Sequence, residues 1–250
     1  MPDGVVLVHS RRHGSQMNAD LPCTGVSPDD RARAALVIGK DPSRGTEPTV
    51  TQAPSRPVEL DVRVPVWERV FLVAPLVLVG TREPDGRFDL APKHLAMPLS
   101  WQNHYGFVCT PRHSTYANAL RERAFTVSYP RPAQLVHASL AASPRCADGT
   151  KPAVAALPTR PASRVAGVLV EGASLALECE FERVVDGFGD NALVVGRIVA
   201  AWADPAALID ADREPEQVLA ESPLLAYVHP GRFAEIAAAY SFPLPEGMHR

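Results

Sequence analysis

Between Thr110 and Arg123 the chain reads TPRHSTYANALRER, a basic loop running into a helix-forming stretch. Ser114 and Thr115 are residue types that cap helix N-termini. A helix beginning behind them aims unsatisfied N–H groups and the positive end of its dipole back at the loop. Arg112 adds a guanidinium to the same place, and the combination makes a chemically sensible phosphate site. The same pattern also describes a surface helix with a capped start and no ligand, so the residue types alone leave both readings open.

The elements that must position this loop can be read from patterning. Ala74 to Thr81 is a continuous apolar run rich in Val and Leu, which predicts a buried strand. Glu83-Pro84-Asp85-Gly86 is a turn, because proline presets φ and glycine accepts a positive one. Phe88 to Leu99 reads as a second strand interrupted at Pro92 and Pro98; prolines donate nothing to a ladder, so this strand belongs at an edge, or is bulged with backbone groups left for a ligand. Tyr105 to Cys109 is a third strand that delivers the chain to the basic loop. Beyond Pro130, Ala133 to Ala142 predicts a short helix, and Ser143 to Ser163, rich in proline with little periodicity, predicts a loop or lid. Ala173 to Val185 alternates like a half-buried strand, turns at 186–191 and returns over Ala192 to Trp202. That hairpin suits closure of a small antiparallel barrel. Glu214 to Glu221 predicts a helical piece, and the tail LLAYVHPGRFAEIAAAYSFPLP a last strand followed by a short helix. No internal repeat is visible.

Composition bounds the function. A chain of 250 residues, 46% hydrophobic, can bury a sizeable core, and its net charge of −3 gives no electrostatic footprint for nucleic acid. No apolar run approaches the ~20 residues of a membrane helix, and the N-terminus lacks a basic region followed by an apolar signal core; the expected location is cytoplasmic. The four cysteines, Cys23, Cys109, Cys146 and Cys179, show no Cys-x-x-Cys spacing and are expected to be reduced thiols. His104, His113 and His137 lack ligands at metal spacing, so no metal site is expected. Gly-x-Ser-x-Gly, Walker and Gly-x-Gly-x-x-Gly patterns are absent, which leaves hydrolase, phosphoryl-transfer and Rossmann dehydrogenase readings without support. Residues 1–57 mix Pro, Ser, Thr, Gly and charge and are expected to be a disordered extension. The folded domain is then 58–245, with 246–250 as a tail.

The stretch from Val73 to Pro130, with APLVLVGTREPDGRFDLAPKHLAMPLS followed by YGFVCTPRHSTYANALRERAFTVSYP, resembles the flavin-reductase-like family of FMN-binding split barrels. The resemblance extends from Val58 to about Pro245. It implies a mainly β split barrel with a few short helices, FMN as cofactor, and a homodimer with the flavin at the subunit interface. It implies hydride transfer from NAD(P)H to FMN and passage of electrons to a free flavin, an acceptor protein or a small substrate. Arg112, Ser114, Thr115 and Asn118 would then hold the phosphate, while Ala91, Pro92, Lys93, His94, Leu99 and Ser100 would lie along the ring. A cation at Lys93 or His94 near the flavin N1–C2 edge would stabilise anionic reduced flavin. The region 143–163 would shield the cofactor.

Departures from the family pattern qualify this. The turn that often carries histidine toward the nicotinamide reads Gly189-Asp190-Asn191, and Asn191 cannot take up a proton as histidine can. Asp89 stands where Asn is frequent before the Leu-Ala-Pro element. His229, in a C-terminal segment that recurs in the family, would approach the flavin or the substrate, or sit in a plain turn. Two alternatives follow: a flavoredoxin-like electron-transfer or flavin-binding protein without reductase turnover, and a split-barrel module for another cofactor such as haem.

Overall fold

The computed structural model describes residues 56–210 and 212–239. The expected extension over residues 1–57 lies outside them except at its end, as does the tail from 246. Twelve strands are described: β1 (Leu72–Pro75), β2 (Val77–Arg82), β3 (Phe88–Lys93), β4 (Ala96–Ser100), β5 (His104–Cys109), β6 (Ala124–Tyr129), β7 (Thr159–Pro161), β8 (Val168–Val170), β9 (Leu175–Phe188), β10 (Asn191–Ala203), β11 (Leu224–His229) and β12 (Arg232–Ile236). The helices are short: α1 (Ser114–Glu122), α2 (Leu135–Leu140), α3 (Pro152–Ala155) and α4 (Pro215–Glu221).

Seven strands form one antiparallel sheet in the order β3-β2-β6-β9-β10-β5-β4. Its two edges, β3 and β4, are joined by only His94 and Leu95. Laid flat, seven strands would hold those edges roughly 29 Å apart at ~4.8 Å per spacing, whereas the three steps from Lys93 to Ala96 span at most about 11 Å. The sheet therefore has to curl until its edges approach each other at this corner, where the Val108 N–H donates to the Leu95 carbonyl at 2.8 Å. The single proline-broken strand expected over Phe88 to Leu99 is thus two strands on opposite edges. Both Pro92 and Pro98 sit on edge strands, where a missing N–H costs no ladder bond.

The apolar run around β2 is continuous because both of its faces are buried. Val77 and Val79 point into the barrel with Tyr105, Phe107, Phe125, Val127, Leu177, Cys179 and Val194, while Leu76 and Leu78 join a second core with Leu90, Ala141, Leu157, Val170 and Tyr227. Phe107 and Phe125 meet edge to face at 5.1 Å inside the barrel. The second core is covered by α2, by the 143–163 segment and by a separate sheet in the order β1-β11-β12. Where one last strand was expected the tail forms two, β11 and β12, and residues 240–250, toward which the expected short helix would run, lie outside those described. Phe233 pairs across to Tyr227 and meets its ring edge to face at 5.6 Å, a long-range contact that holds β12 against β11. The segment 143–163 is likewise more ordered than a loop: α3 and β7 lie within it, and Arg145 and Lys151 both reach Asp89. Cys109 and Cys179 are free and buried, whereas Cys146 is disulfide-bonded, which corrects the expectation of four reduced thiols.

One buried carboxylate ties the smaller β7–β8 hairpin to the barrel. Glu178 on β9 is fully buried and accepts hydrogen bonds from the N–H groups of Ser163, Arg164 and Val165 at 2.9, 2.5 and 3.3 Å and from Trp202 Nε1 at 2.9 Å. Burial by itself would raise this carboxyl, but the Ser163 and Arg164 N–H groups, with the Trp202 and Ser163 side chains, outweigh it and hold the carboxyl below its ordinary range. Glu178→Gln puts an amide N–H₂ among these donors and is expected to destabilise the fold by about 2 kcal/mol or more in chemical denaturation. Because the native carboxyl is the stronger acid, its contribution is complete above the ordinary value of 4.5 and declines as pH falls below it. A Gln variant that melts like the parent at neutral pH would contradict this role.

Candidate functional site

Strand β5 ends at Cys109 and releases the chain into the Thr110–His113 loop that opens α1. The N-cap position is held by His113, in extended conformation and without a side-chain cap hydrogen bond, so Ser114 and Thr115 are the first two helical residues and not its caps. The His113 N–H donates to the Thr110 carbonyl at 3.0 Å, and the N–H groups of Tyr116 and Ala117 donate to the His113 carbonyl at 3.1 and 3.4 Å. The N–H groups of Ser114 and Thr115 have no backbone partner among the described residues, as the geometry of a helix start requires. In the same loop Thr110 Oγ1 is buried without a hydrogen-bond partner among the described residues. Buried hydroxyls without partners are uncommon, and this one adjoins a helix N-terminus.

Two cations flank the loop. Lys93, the last residue of β3, lies near enough to the Cys109 thiol for its charge to favour the thiolate, and the Cys109 sulfur lies 4.0 Å from His113 Nδ1. Burial pushes that thiol up, opposed by Lys93 and by the Tyr116 N–H. Arg112 is exposed and reaches Asp190 Oδ2 at 3.3 Å, across from the β9–β10 turn. Asn191 is therefore at the loop end of the sheet: Ala192 pairs with Cys109, so its neighbour Asn191 stands beside the start of the loop. Thr115 and Asn118 are buried, and Asn118 donates to Thr81 Oγ1 at 3.3 Å while accepting from Arg121 Nη1 at 2.8 Å. Asn118 thus fastens α1 to β2.

The ring-side candidates divide. Ala91 and His94 are buried, Pro92 and Lys93 half-buried, and Leu99 exposed. His94 turns away from the loop into the three-stranded sheet, with ring centroids 4.5 Å from both Tyr227 and His229. The structure thus brings His94 and His229 together edge to face in one ring cluster, a pairing that no local sequence pattern announces. Ser100 Oγ lies at the far end of β4, 2.7 Å from His104 Nδ1.

These observations define a curled antiparallel barrel with a cationic loop and a helix N-terminus at the end of one inner strand, the architecture of the split-barrel flavoproteins. A family model for the flavin reductase like domain matches residues 70–227, and the chain belongs to that family. The fold is shared with flavoredoxin from Methanosarcina acetivorans, at a TM-score of 0.62 and 15% identity over 77% of this chain and 98% of that one. It is shared with the FMN-binding protein from Thermus thermophilus solved with p-hydroxybenzaldehyde, at 0.59 and 25% over 76% and 100%. The 2-nitrobenzoate 2-nitroreductase NbaA of Pseudomonas fluorescens follows at 0.60 and 15% over 71% and 87%. No curated protein matches the sequence. Among the described residues no helix is long and apolar enough to cross a membrane, and no cluster of three or more His, Cys, Asp or Glu could hold a metal.

Burial first, then the charges of His229 and Lys93, push the His94 imidazole down to about 4, and burial lowers His229 as well. Native His94 stays neutral while its unfolded form takes up a proton below 6.5, so stability is complete above that value and falls as pH drops toward 4. The full effect is roughly 3 kcal/mol. In urea denaturation from pH 7 to 4, His94→Phe is expected to flatten this decline. An unchanged slope would place its source elsewhere.

Proposed function

We propose that the protein binds FMN and acts as an NAD(P)H-dependent oxidoreductase of the flavin reductase type. The observation that carries this is the loop after β5. It joins the N–H groups of Ser114 and Thr115 and the buried Thr110 hydroxyl, all without partners among the described residues, with the cations Lys93 and Arg112. A phosphate monoester fits that donor set, since each of these groups donates or is positively charged. FMN, when bound, supplies two-electron redox chemistry. Arg112, the Ser114 hydroxyl and the first-turn N–H groups hold the phosphate in this reading, Asn118 fixes the helix that aims them, and the backbone from Ala91 to Ser100 lies along the ring.

The same reading makes the active form a homodimer. Met97 and Leu99 on the edge strand β4 and Trp101 just beyond it stay exposed, Trp101 at 99%. An apolar edge of this kind is a liability unless covered, and a second copy is the cover proposed. The reaction would run in the cytoplasm, with reduced flavin delivered to a free flavin, a protein or a small substrate. Asn191 favours a second reading, electron transfer without reductase turnover, because it puts an unprotonated amide where reductases of this kind often have histidine. NAD(P)H oxidation by purified protein with added FMN separates the two, and a Soret band in its absorption spectrum would point to haem instead.

Asp190 draws on the same guanidinium that the phosphate would use. Arg112→Ala is therefore expected to weaken FMN binding about tenfold, or ~1.4 kcal/mol, and leave riboflavin binding unchanged. Asp190→Asn is expected to tighten FMN several-fold. Equilibrium dialysis with both flavins checks this, and equal losses for the two would remove the loop from the phosphate site.

A further inference from the structure

The opposite end of β5 carries a second constellation. His104 sits between Ser100 and Glu182, with Ser100 Oγ 2.7 Å from Nδ1 and Glu182 Oε2 3.0 Å from Nε2. The carboxylate, which only accepts, fixes the tautomer: Nε2 carries the proton and donates to Glu182, so Nδ1 is left to accept from the Ser100 hydroxyl. That polarises the hydroxyl oxygen as an activated nucleophile requires. Sequence position gives no warning of it, since Glu182 lies far along β9 and the β4–β5 and β9–β10 hairpins alone bring the three together. Phe181 and Leu177, which face the barrel, put Glu182 on the outer surface with His104.

A cavity of about 290 Å³ adjoins this relay at the mouth of the barrel, and Ser100, His104, Tyr105, Tyr129 and Ile198 are among its lining residues. It stands at the small end of the ~300–1,000 Å³ usual for ligand sites. The hydroxyls of Tyr105 and Tyr129 are 2.7 Å apart. Only one proton lies between two bonded hydroxyls, so the second remains available to donate into the cavity. Burial pushes both phenols up, which keeps them protonated donors. Nucleophile, base and a hydroxyl donor for a developing oxyanion thus border one small, mainly apolar space, and Glu182 holds the base from outside it.

We propose that this barrel mouth is an acyl-transfer site in which Ser100 hydrolyses small apolar esters. Ser100 Oγ bonds to the ester carbonyl carbon as its proton passes to His104 Nδ1. The bond to the alcohol oxygen then breaks, and that oxygen leaves with the proton from Nδ1. Water attacks the acyl-serine with Nδ1 taking its proton, the acyl–Oγ bond breaks, and the proton returns to Ser100. No oxidant or metal enters the balance, and no step uses the flavin.

The test uses the full chain with p-nitrophenyl acetate. The expected result is saturable hydrolysis with an acetyl group recovered on the peptide that carries Ser100. His104→Gln should lower kcat at least a hundredfold, the usual scale for losing a general base. Tyr129→Phe should lower kcat with little change in KM, and Glu182→Gln, a positioning change, should move the acid limb of the kcat/KM profile. Thermal melting of each variant shows whether it is folded. Folded His104→Gln protein that hydrolyses the ester at the parent rate, or acetyl groups found only on lysines, would overturn the proposal, since a merely structural Ser–His–Glu bridge leaves Ser100 unreactive.

Discussion

The constraint on which everything else rests is the His94-Leu95 link. By joining the two outer strands of a seven-stranded sheet with two residues, it forces the sheet to close and fixes which residues can meet. Closure puts Lys93 of one edge against Cys109 of the strand next to the other edge, and so a cation beside the loop that opens α1. It also leaves His94 at the corner, where the three-stranded sheet covers it with Tyr227 and His229. A longer link would relax the curl and separate Lys93 from the loop.

Buried charge in this protein is organised to hold appended pieces to the barrel, and each case shows its own balance. Glu178 is compensated by N–H donors from the β7–β8 hairpin, a dipolar solution that needs no cation. Asp89 is compensated by cations, Lys151 at 3.0 Å and Arg145 at 3.2 Å, both from the segment that wraps over β3. That arrangement gives a physical reason for Asp in place of Asn at this position: an amide offers no charge to hold the two cations. Removing one partner from such a group costs more than the interaction adds, because the other stays buried without compensation.

Much of the barrel was legible because strand signals here are local. The apolar run at β2, the alternation in β9 and the turn at 83–86, where the Gly86 N–H bonds the Glu83 carbonyl at 3.0 Å, are written in neighbouring residues. The division of Phe88–Leu99 into opposite edges was not legible, since two prolines mark an edge without saying which one. The tail's second strand, β12, was not legible, since only the long-range pairing of Phe233 with Tyr227 sets it beside β11. In the site, the basic loop and helix start were readable as consecutive residues. The cap was assigned one position late, and Thr110 Oγ1 and the approach of Asp190 to Arg112 depend on contacts between distant segments. Glu178 did leave a trace, a glutamate inside an apolar strand, which is a residue that has to be explained by a partner.

Strand β5 carries a polar constellation at each of its ends. Tyr105, Phe107 and Cys109 point into the core and immobilise the strand, so its ends are positioned by packing and not by loop conformation. At one end the chain leaves Cys109 for the cationic loop, and at the other His104 is clamped between Ser100 and Glu182. Five residue steps at ~3.4 Å place these ends roughly 17 Å apart, too far for a shared proton or phosphate contact. The two ends can therefore change independently in sequence while the barrel between them stays the same. That separation follows from the alternation of the strand, which commits every second side chain to the core and leaves the termini free for polar residues.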